Sequence, residues 1–188
     1  MVDERSSVER TVIIGNAGGG KSTLARELAA RRGLPHIEID ALLWRPGWQL
    51  TPSDVYEAEH SRLIDQPGWV IDGLGRRESV AARLTRATEI VLVDMPLWVH
   101  FWLAAERQIA WCTGRLAHPP AGAAEMPPTE DLFRTIWEVD RAWMPEIRRL
   151  IDEEERRGKR THRIATVEEL GYFVERNCLQ NRRPLLRC

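Results

Sequence analysis

Eight consecutive residues of this 188-residue chain, Gly15-Asn16-Ala17-Gly18-Gly19-Gly20-Lys21-Ser22, have the types and spacing needed to hold a polyphosphate. Glycines let the backbone wrap an anion with its N–H groups turned inward, and a helix opening near Lys21 aims the positive end of its dipole at the same point. In that arrangement Lys21 reaches the β- and γ-phosphates, Ser22 ligates Mg²⁺, and Thr23 follows in the first helical turn. The bland alternative is a glycine-rich turn joining a strand to a helix. Against it stand the lysine, the serine and the flanks: a β-branched run, Thr11-Val12-Ile13-Ile14, comes before, and the helix formers of Ser22 to Arg32 come after. The pattern predicts binding of ATP or GTP.

Phosphoryl transfer needs positioning and charge neutralisation more than covalent chemistry, so carboxylates near a metal and closing arginines are the next residues to seek. Asp72 ends the run Trp69-Val70-Ile71, expected beside the first strand, where its carboxylate can hold Mg²⁺ through water; capping the next turn is the alternative. Asp40 closes the run from His36, at the sheet edge where open α/β folds bind ligands. It orients an acceptor hydroxyl, accepts its proton, or is a simple turn carboxylate. Asp94 ends a further strand and is expected to cap a helix. Arg134, Arg141 and Arg148 recur every seven residues as one helix stripe. Its default reading is a solvated face, with Arg134 or Arg141, or Arg115 nearby, as candidates to turn towards phosphates. Trp44 and Trp48 flank a turn; their indoles either stack on a base or sugar or pack beneath a loop.

These residues must be carried by alternating elements. Strands are expected at 11–14, 36–40, 69–72, 89–94 and 161–165, and helices at 22–32, from Thr51-Pro52-Ser53-Asp54 to about Asp65, and at 79–86. Alternation of this kind is the sequence form of a parallel sheet covered on both faces. The stretch from Ala41 to Leu50 reads as a loop. From Trp98 to Trp111, Trp98, Phe101, Trp102, Ala105 and Ile109 repeat at helical spacing and predict one buried face. Ala117 to Pro128 holds four prolines and reads as a binding loop or lid. A long helix is expected from Asp131 to about Arg157, with Leu132, Ile136, Val139, Trp143, Ile147 and Leu150 inward, and a last helix over 167–177. Packing on these patterns accounts for Trp69, Trp98, Trp102, Trp137 and Trp143 among the eight tryptophans.

Composition narrows the partners. Lysine and arginine total 27 against 28 acidic residues, so no global positive field favours nucleic acid. Arg156-Arg157-Gly158-Lys159-Arg160 and the tail arginines 182, 183 and 187 are the local basic stretches. Cys112, Cys178 and Cys188 show no metal or redox spacing, which fits a cytoplasmic protein, and no segment reads as a signal peptide or membrane span.

Beyond the phosphate loop, Val70-Ile71-Asp72-Gly73-Leu74-Gly75-Arg76 and Asp94-Met95-Pro96 resemble the nucleoside monophosphate kinase group that includes adenylate kinase. The likeness covers most of residues 11–175. It implies that Arg76 holds an acceptor phosphate, although Leu-Gly here replaces the usual Phe-Pro before it. It also implies that Arg107 is a phosphate-binding lid arginine, against the bland reading of a solvated one, and that backbone near Ala165 and Thr166 borders adenine. Asp40-Ala41-Leu42-Leu43-Trp44, Pro46-Gly47-Trp48 and Trp69-Val70-Ile71-Asp72-Gly73 resemble more closely the adenylate-kinase-like proteins labelled DNA topology modulation proteins.

The expectation is a single α/β domain over 1–188 of the P-loop NTPase type. Its five-stranded parallel sheet would have order 2-3-1-4-5, an acceptor segment at 41–68, a small lid at about 107–130 and a flexible tail at 178–188. The expected activity moves the γ-phosphoryl group of Mg-ATP to a small acceptor, a nucleotide or nucleoside. The alternative is an ATP-binding regulatory or nucleic-acid-associated NTPase with slow hydrolysis.

Overall fold

The computed structural model describes residues 8–116 and 126–179. Arg10–Gly15 (β1) is apolar on both faces and lies at the centre of a five-stranded parallel sheet. Around it stand His36–Glu38 (β2), Trp69–Asp72 (β5), Glu89–Val93 (β6) and Arg160–Ile164 (β7), in the order β2-β5-β1-β6-β7. Taken by rank along the chain, this is the expected 2-3-1-4-5. Between β2 and β5 lie a short helix, Ile39–Leu43 (α2), and a hairpin of Trp44–Arg45 (β3) with Gln49–Leu50 (β4). The remaining helices are Lys21–Arg32 (α1), Ser53–Ile64 (α3), Val80–Arg86 (α4), Leu97–Cys112 (α5), Thr129–Glu138 (α6), Met144–Arg156 (α7) and Val167–Val174 (α8).

Alternate β1 side chains sort the helices into two layers. Val12 and Ile14 face one core with Tyr56 and Ile64 of α3, Val80 and Leu84 of α4, and Ile147 and Ile151 of α7. Ile13 faces the other with Leu24 and Leu28 of α1, Val99 of α5 and Phe173 of α8. The two layers cover both faces, as a parallel sheet requires.

Several local expectations are corrected. β2 stops at Glu38, because its ladder with β5 ends at the pair Glu38 and Asp72, and Gly73 (φ +102°) then leads β5 away. Asp40 therefore lies in the first turn of α2, not at a strand end. The stretch read as a loop contains α2 and the hairpin, whose two-residue strands are too short to show a period. Pro52, rather than Thr51, occupies the cap position of α3.

On α5 the buried residues are Val99, His100, Ala104 and Gln108, while Trp98 and Trp102 are exposed, contrary to the face expected from the apolar repeat. Trp137 is exposed too; Trp69 is fully buried, and Trp143 is partly buried against the core. The long helix forms, but Val139–Trp143 is a π-helical segment leading into Pro145, whose missing N–H removes one regular helix bond. Residues 107–112 of the expected lid belong to α5, and 117–125 lie outside the described residues. Cys178 and Leu179, expected in the tail, complete a π-helical turn with Glu175; 180–188 lie outside the described residues. Among the described residues no helix is long and apolar enough to cross a membrane.

Candidate functional site

Gly15 leaves β1 with φ +145°, and Gly18 and Gly20 adopt φ +79° and +76°, so the chain from Gly15 to Gly20 curls into a loop ahead of α1. A Cβ on Gly18 would stand 2.6 Å from the His100 carbonyl oxygen, and one on Gly15 would stand 2.0 Å from that of Val93. Only glycine fits at both. Asn16 fastens the loop: its side-chain amide donates to the Ile136 carbonyl (2.8 Å) and its Oδ1 accepts from the Ala17 N–H (2.8 Å). His100 of α5 holds the Ala17 carbonyl through Nδ1 at 2.8 Å. Gly19 is buried against Val93 and His100. Gly20 caps α1 with no side-chain hydrogen bond, so the first N–H groups of that helix carry no side-chain cap.

Lys21 is buried, and its Nζ donates to the Asn16 carbonyl at 2.6 Å across the loop. Burial lowers its pKa; Asp40 and Asp72 pull the other way, and Arg107 adds a push downwards. Ser22 Oγ donates to Asp72 Oδ2 at 2.6 Å, while His36 Nε2 lies 2.6 Å from Oδ1. A carboxylate only accepts, so His36 carries its proton on Nε2 in this contact. Thr23, next on α1, is exposed.

Asp40 lies open to solvent and accepts from the Gly75 N–H at 3.3 Å. Although the residue as a whole is exposed, loss of water around its carboxyl group raises its pKa, with Lys21 opposing and Asp72 adding to the rise. Arg107 of α5 is half-buried: burial lowers its pKa, and the charge of Asp40 opposes that fall. The fold thus gathers Lys21, Ser22, Asp72, Asp40 and Arg107 from α1, β5, α2 and α5 at the carboxyl edge of the sheet.

Arg76 stands apart. Its guanidinium donates to the Thr51 carbonyl at 2.5 Å and lies 5.4 Å from the centre of the Tyr56 ring, while its backbone N–H donates to the Tyr56 hydroxyl. Ala165 and Thr166 are exposed and form the cap of α8: the Ala165 N–H donates to Glu169 Oε2 at 2.7 Å, and Thr166 Oγ1 accepts from the Glu169 N–H at 3.1 Å. Leu170 of the same helix would meet a Cβ on Gly20 at 3.1 Å, so α8 abuts the phosphate loop. Trp44 and Trp48 meet edge to face at 5.7 Å across the hairpin, with Trp48 at φ +56°.

Asp94 caps no helix. It takes a two-point bond from Arg148, at 2.8 and 2.7 Å, so Arg148 leaves the solvated stripe. Arg134 pairs with Glu130, and Arg141 lies over Trp137, both exposed. Arg115 is likewise exposed, its Nε donating to Thr113 Oγ1.

Three contributors, His36, His100 and Arg83, had no sequence signal, and neither did the pairing of Asp94 with Arg148. His36 meets Asp72 through strand register, His100 reaches the loop across the α5 packing angle, and Asp94 meets Arg148 across 54 residues. Arg83 is fully buried and donates to the Leu74 carbonyl at 2.5 Å and to Ser79 Oγ at 3.1 Å, fixing the chain after Asp72.

No protein-family model matches this chain, and no curated protein matches it at a significant level. Among solved structures it is similar to a gluconokinase from Sinorhizobium meliloti 1021, with 21% identity, 91% of this chain and 90% of that chain covered, and a TM-score of 0.51. It is also similar to a shikimate kinase from Bacteroides thetaiotaomicron, with 13% identity, 89% and 95% coverage, and the same TM-score of 0.51. At such identities the likeness bears on backbone architecture, and together with the sheet order and the glycine loop it shows that this chain has the P-loop α/β fold found in these kinases.

Proposed function

We propose that the protein transfers the γ-phosphoryl group of ATP to a small acceptor. The observation that carries the reading is the 2.6 Å bond from Ser22 to Asp72 beside the buried Lys21, whose charge Asp40, Asp72 and Arg107 all influence. A hydroxyl and a carboxylate are hard oxygen donors, the kind magnesium prefers. Among the described residues no three His, Cys, Asp or Glu cluster as a metal cage, which suits an ion that takes most of its ligands from phosphate and water. Ser22 and Asp72 would hold it, and the bound ion would neutralise charge between the β- and γ-phosphates.

The chain supplies the rest. Backbone N–H groups of Gly15 to Ser22 cradle the phosphates, and Lys21 exchanges the Asn16 carbonyl for a phosphate oxygen. Arg107 balances charge on the group in flight. Asp40, its pKa raised, is suited to accept a proton from an acceptor hydroxyl, or to orient the acceptor where no base is needed.

The acceptor lies between Asp40, Arg76 and the Trp44–Trp48 pair. Indole faces favour a nucleotide or nucleoside, in keeping with the resemblance of Asp72-Gly73 and Arg76 to the nucleoside monophosphate kinases. A border role for Ala165 and Thr166 beside the adenine is supported by the packing of α8 on Gly20.

The test is ADP release from Mg-ATP with nucleoside monophosphates, nucleosides, gluconate and shikimate offered in turn, and Lys21→Ala as the blank. Acceptor-dependent turnover that falls by about 10²-fold or more in the variant is expected. ATP binding without stimulation by any acceptor would refute the transfer.

A further inference from the structure

The apolar repeat of α5 faces outward. Trp98, Trp102 and Ile109 are 68%, 62% and 57% exposed, and Ala105 lies on the same line. The spacing 98, 102, 105, 109 alternates steps of four and three, the seam by which two helices pack lengthwise, and it runs about 16 Å. The other faces of α5 are occupied: His100 holds Ala17, Ala104 lies against Gly18, Phe101 meets Phe133 of α6 at 5.4 Å, and Gln108 bonds Thr129.

We propose that this seam is the interface of a homodimer in which two copies of α5 pack antiparallel about a two-fold axis. The seam is complementary to itself. An axis level with the midpoint between Leu103 and Ala104 sets Trp98 against Ile109 of the second copy and Trp102 against its Ala105. Each indole then meets a smaller residue at the crossing, as packed helices require. The three exposed side chains offer about 400 Å² of apolar surface per copy. Two copies bury about 800 Å² from these residues, the size of a weak, reversible interface that forms at micromolar concentrations rather than of an obligate one.

Charge agrees with this occupant. The chain carries a net charge of −1, so two copies repel little. A lipid surface would call for basic flanks, but α5 has no lysine, and its single arginine, Arg107, is half-buried on the side of the helix opposite the seam. Because the inner side of α5 touches Ala17 and Gly18, a second copy on its outer side braces the phosphate loop.

Sedimentation of the full chain, with reductant present because Cys112 is an exposed thiol, tests the proposal. The expected mass is twice 21.6 kDa at tens of micromolar. Trp98→Glu with Trp102→Glu should raise the dissociation constant by about 10²-fold or more, with the circular dichroism spectrum unchanged. Tyr172→Glu, on exposed α8 surface, should leave it alone. Ala105→Trp is the decisive variant. It makes the face more apolar yet sets indole against indole at the crossing, so the specific dimer weakens, whereas non-specific or lipid association would strengthen. A wild-type monomer at all concentrations, or tighter association of Ala105→Trp, overturns the proposal. Mass alone is read, so its failure leaves the phosphotransfer reading untouched.

Discussion

Glu89 opens β6 at the end of the sheet away from the phosphate loop, and its carboxylate is buried. Burial by itself raises the pKa, but His162 at 3.0 Å, Arg32 at 2.6 Å and Thr11 at 3.0 Å more than reverse this, lowering it from 4.5 to about 2. A folded pKa below the unfolded one contributes stability above pH 4.5, lost as pH falls towards 2. The difference of about 2.5 units is worth about 3 kcal/mol at pH 7 and about half that at pH 3.

Glu89→Gln keeps the shape, removes the charge and leaves Arg32 without its carboxylate. The expected cost is about 3 kcal/mol at pH 7, a fall in Tm of about 10 °C for a chain of this size. Urea unfolding followed by circular dichroism at pH 7, 5 and 3 measures it, and the gap between wild type and variant should narrow as pH falls. A gap under 1 kcal/mol at pH 7, or one equal at pH 7 and pH 3, would refute the account of Glu89 as a charged clamp. ATP affinity at pH 7 should stay within about twofold, because the clamp and the phosphate loop lie at opposite ends of the strands.

Three further outcomes follow from the same geometry. His60 is buried against Tyr56, and burial, then the nearby Arg83 charge, lower its pKa from 6.5 to about 4. Stability is therefore lost as pH falls from 6.5 to 4, and His60→Phe should narrow the difference in unfolding free energy between pH 7 and pH 5 by about 2 kcal/mol, read by urea titration. Asp72→Asn should weaken the magnesium dependence of ATP binding by about 10²-fold and His36→Ala by about tenfold, since His36 only orients the carboxylate; calorimetric titration at several magnesium concentrations separates them. Gly18→Ala places a side chain at φ +79° and 2.6 Å from the His100 oxygen. The left-handed backbone alone costs about 1–2 kcal/mol, so Tm should fall by several degrees and ATP binding should weaken in the same variant.

Sequence by itself determined the parts of this protein that local chemistry dictates. The glycine spacing from Gly15 to Gly20 and the lysine and serine after it specify a loop and a helix start within a few residues. Apolar β-branched runs between helix formers specify buried parallel strands and their number, while their order was expected from the P-loop fold that the glycine loop implies. Tertiary structure decided everything that depends on which faces meet. An apolar repeat on α5 has the same period whether it points to the core or to solvent, and the helix turned its His100 and Ala104 side to the phosphate loop instead. Asp40 moved into a helix because its strand ran out of a ladder partner at Asp72, a fact of register between segments 34 residues apart at the pair Glu38 and Asp72. The charge on Glu89 and the pairing of Asp94 with Arg148 likewise rest on strands and helices distant along the chain, and hydrogen bonds and burial between such segments exist only once the sheet has closed.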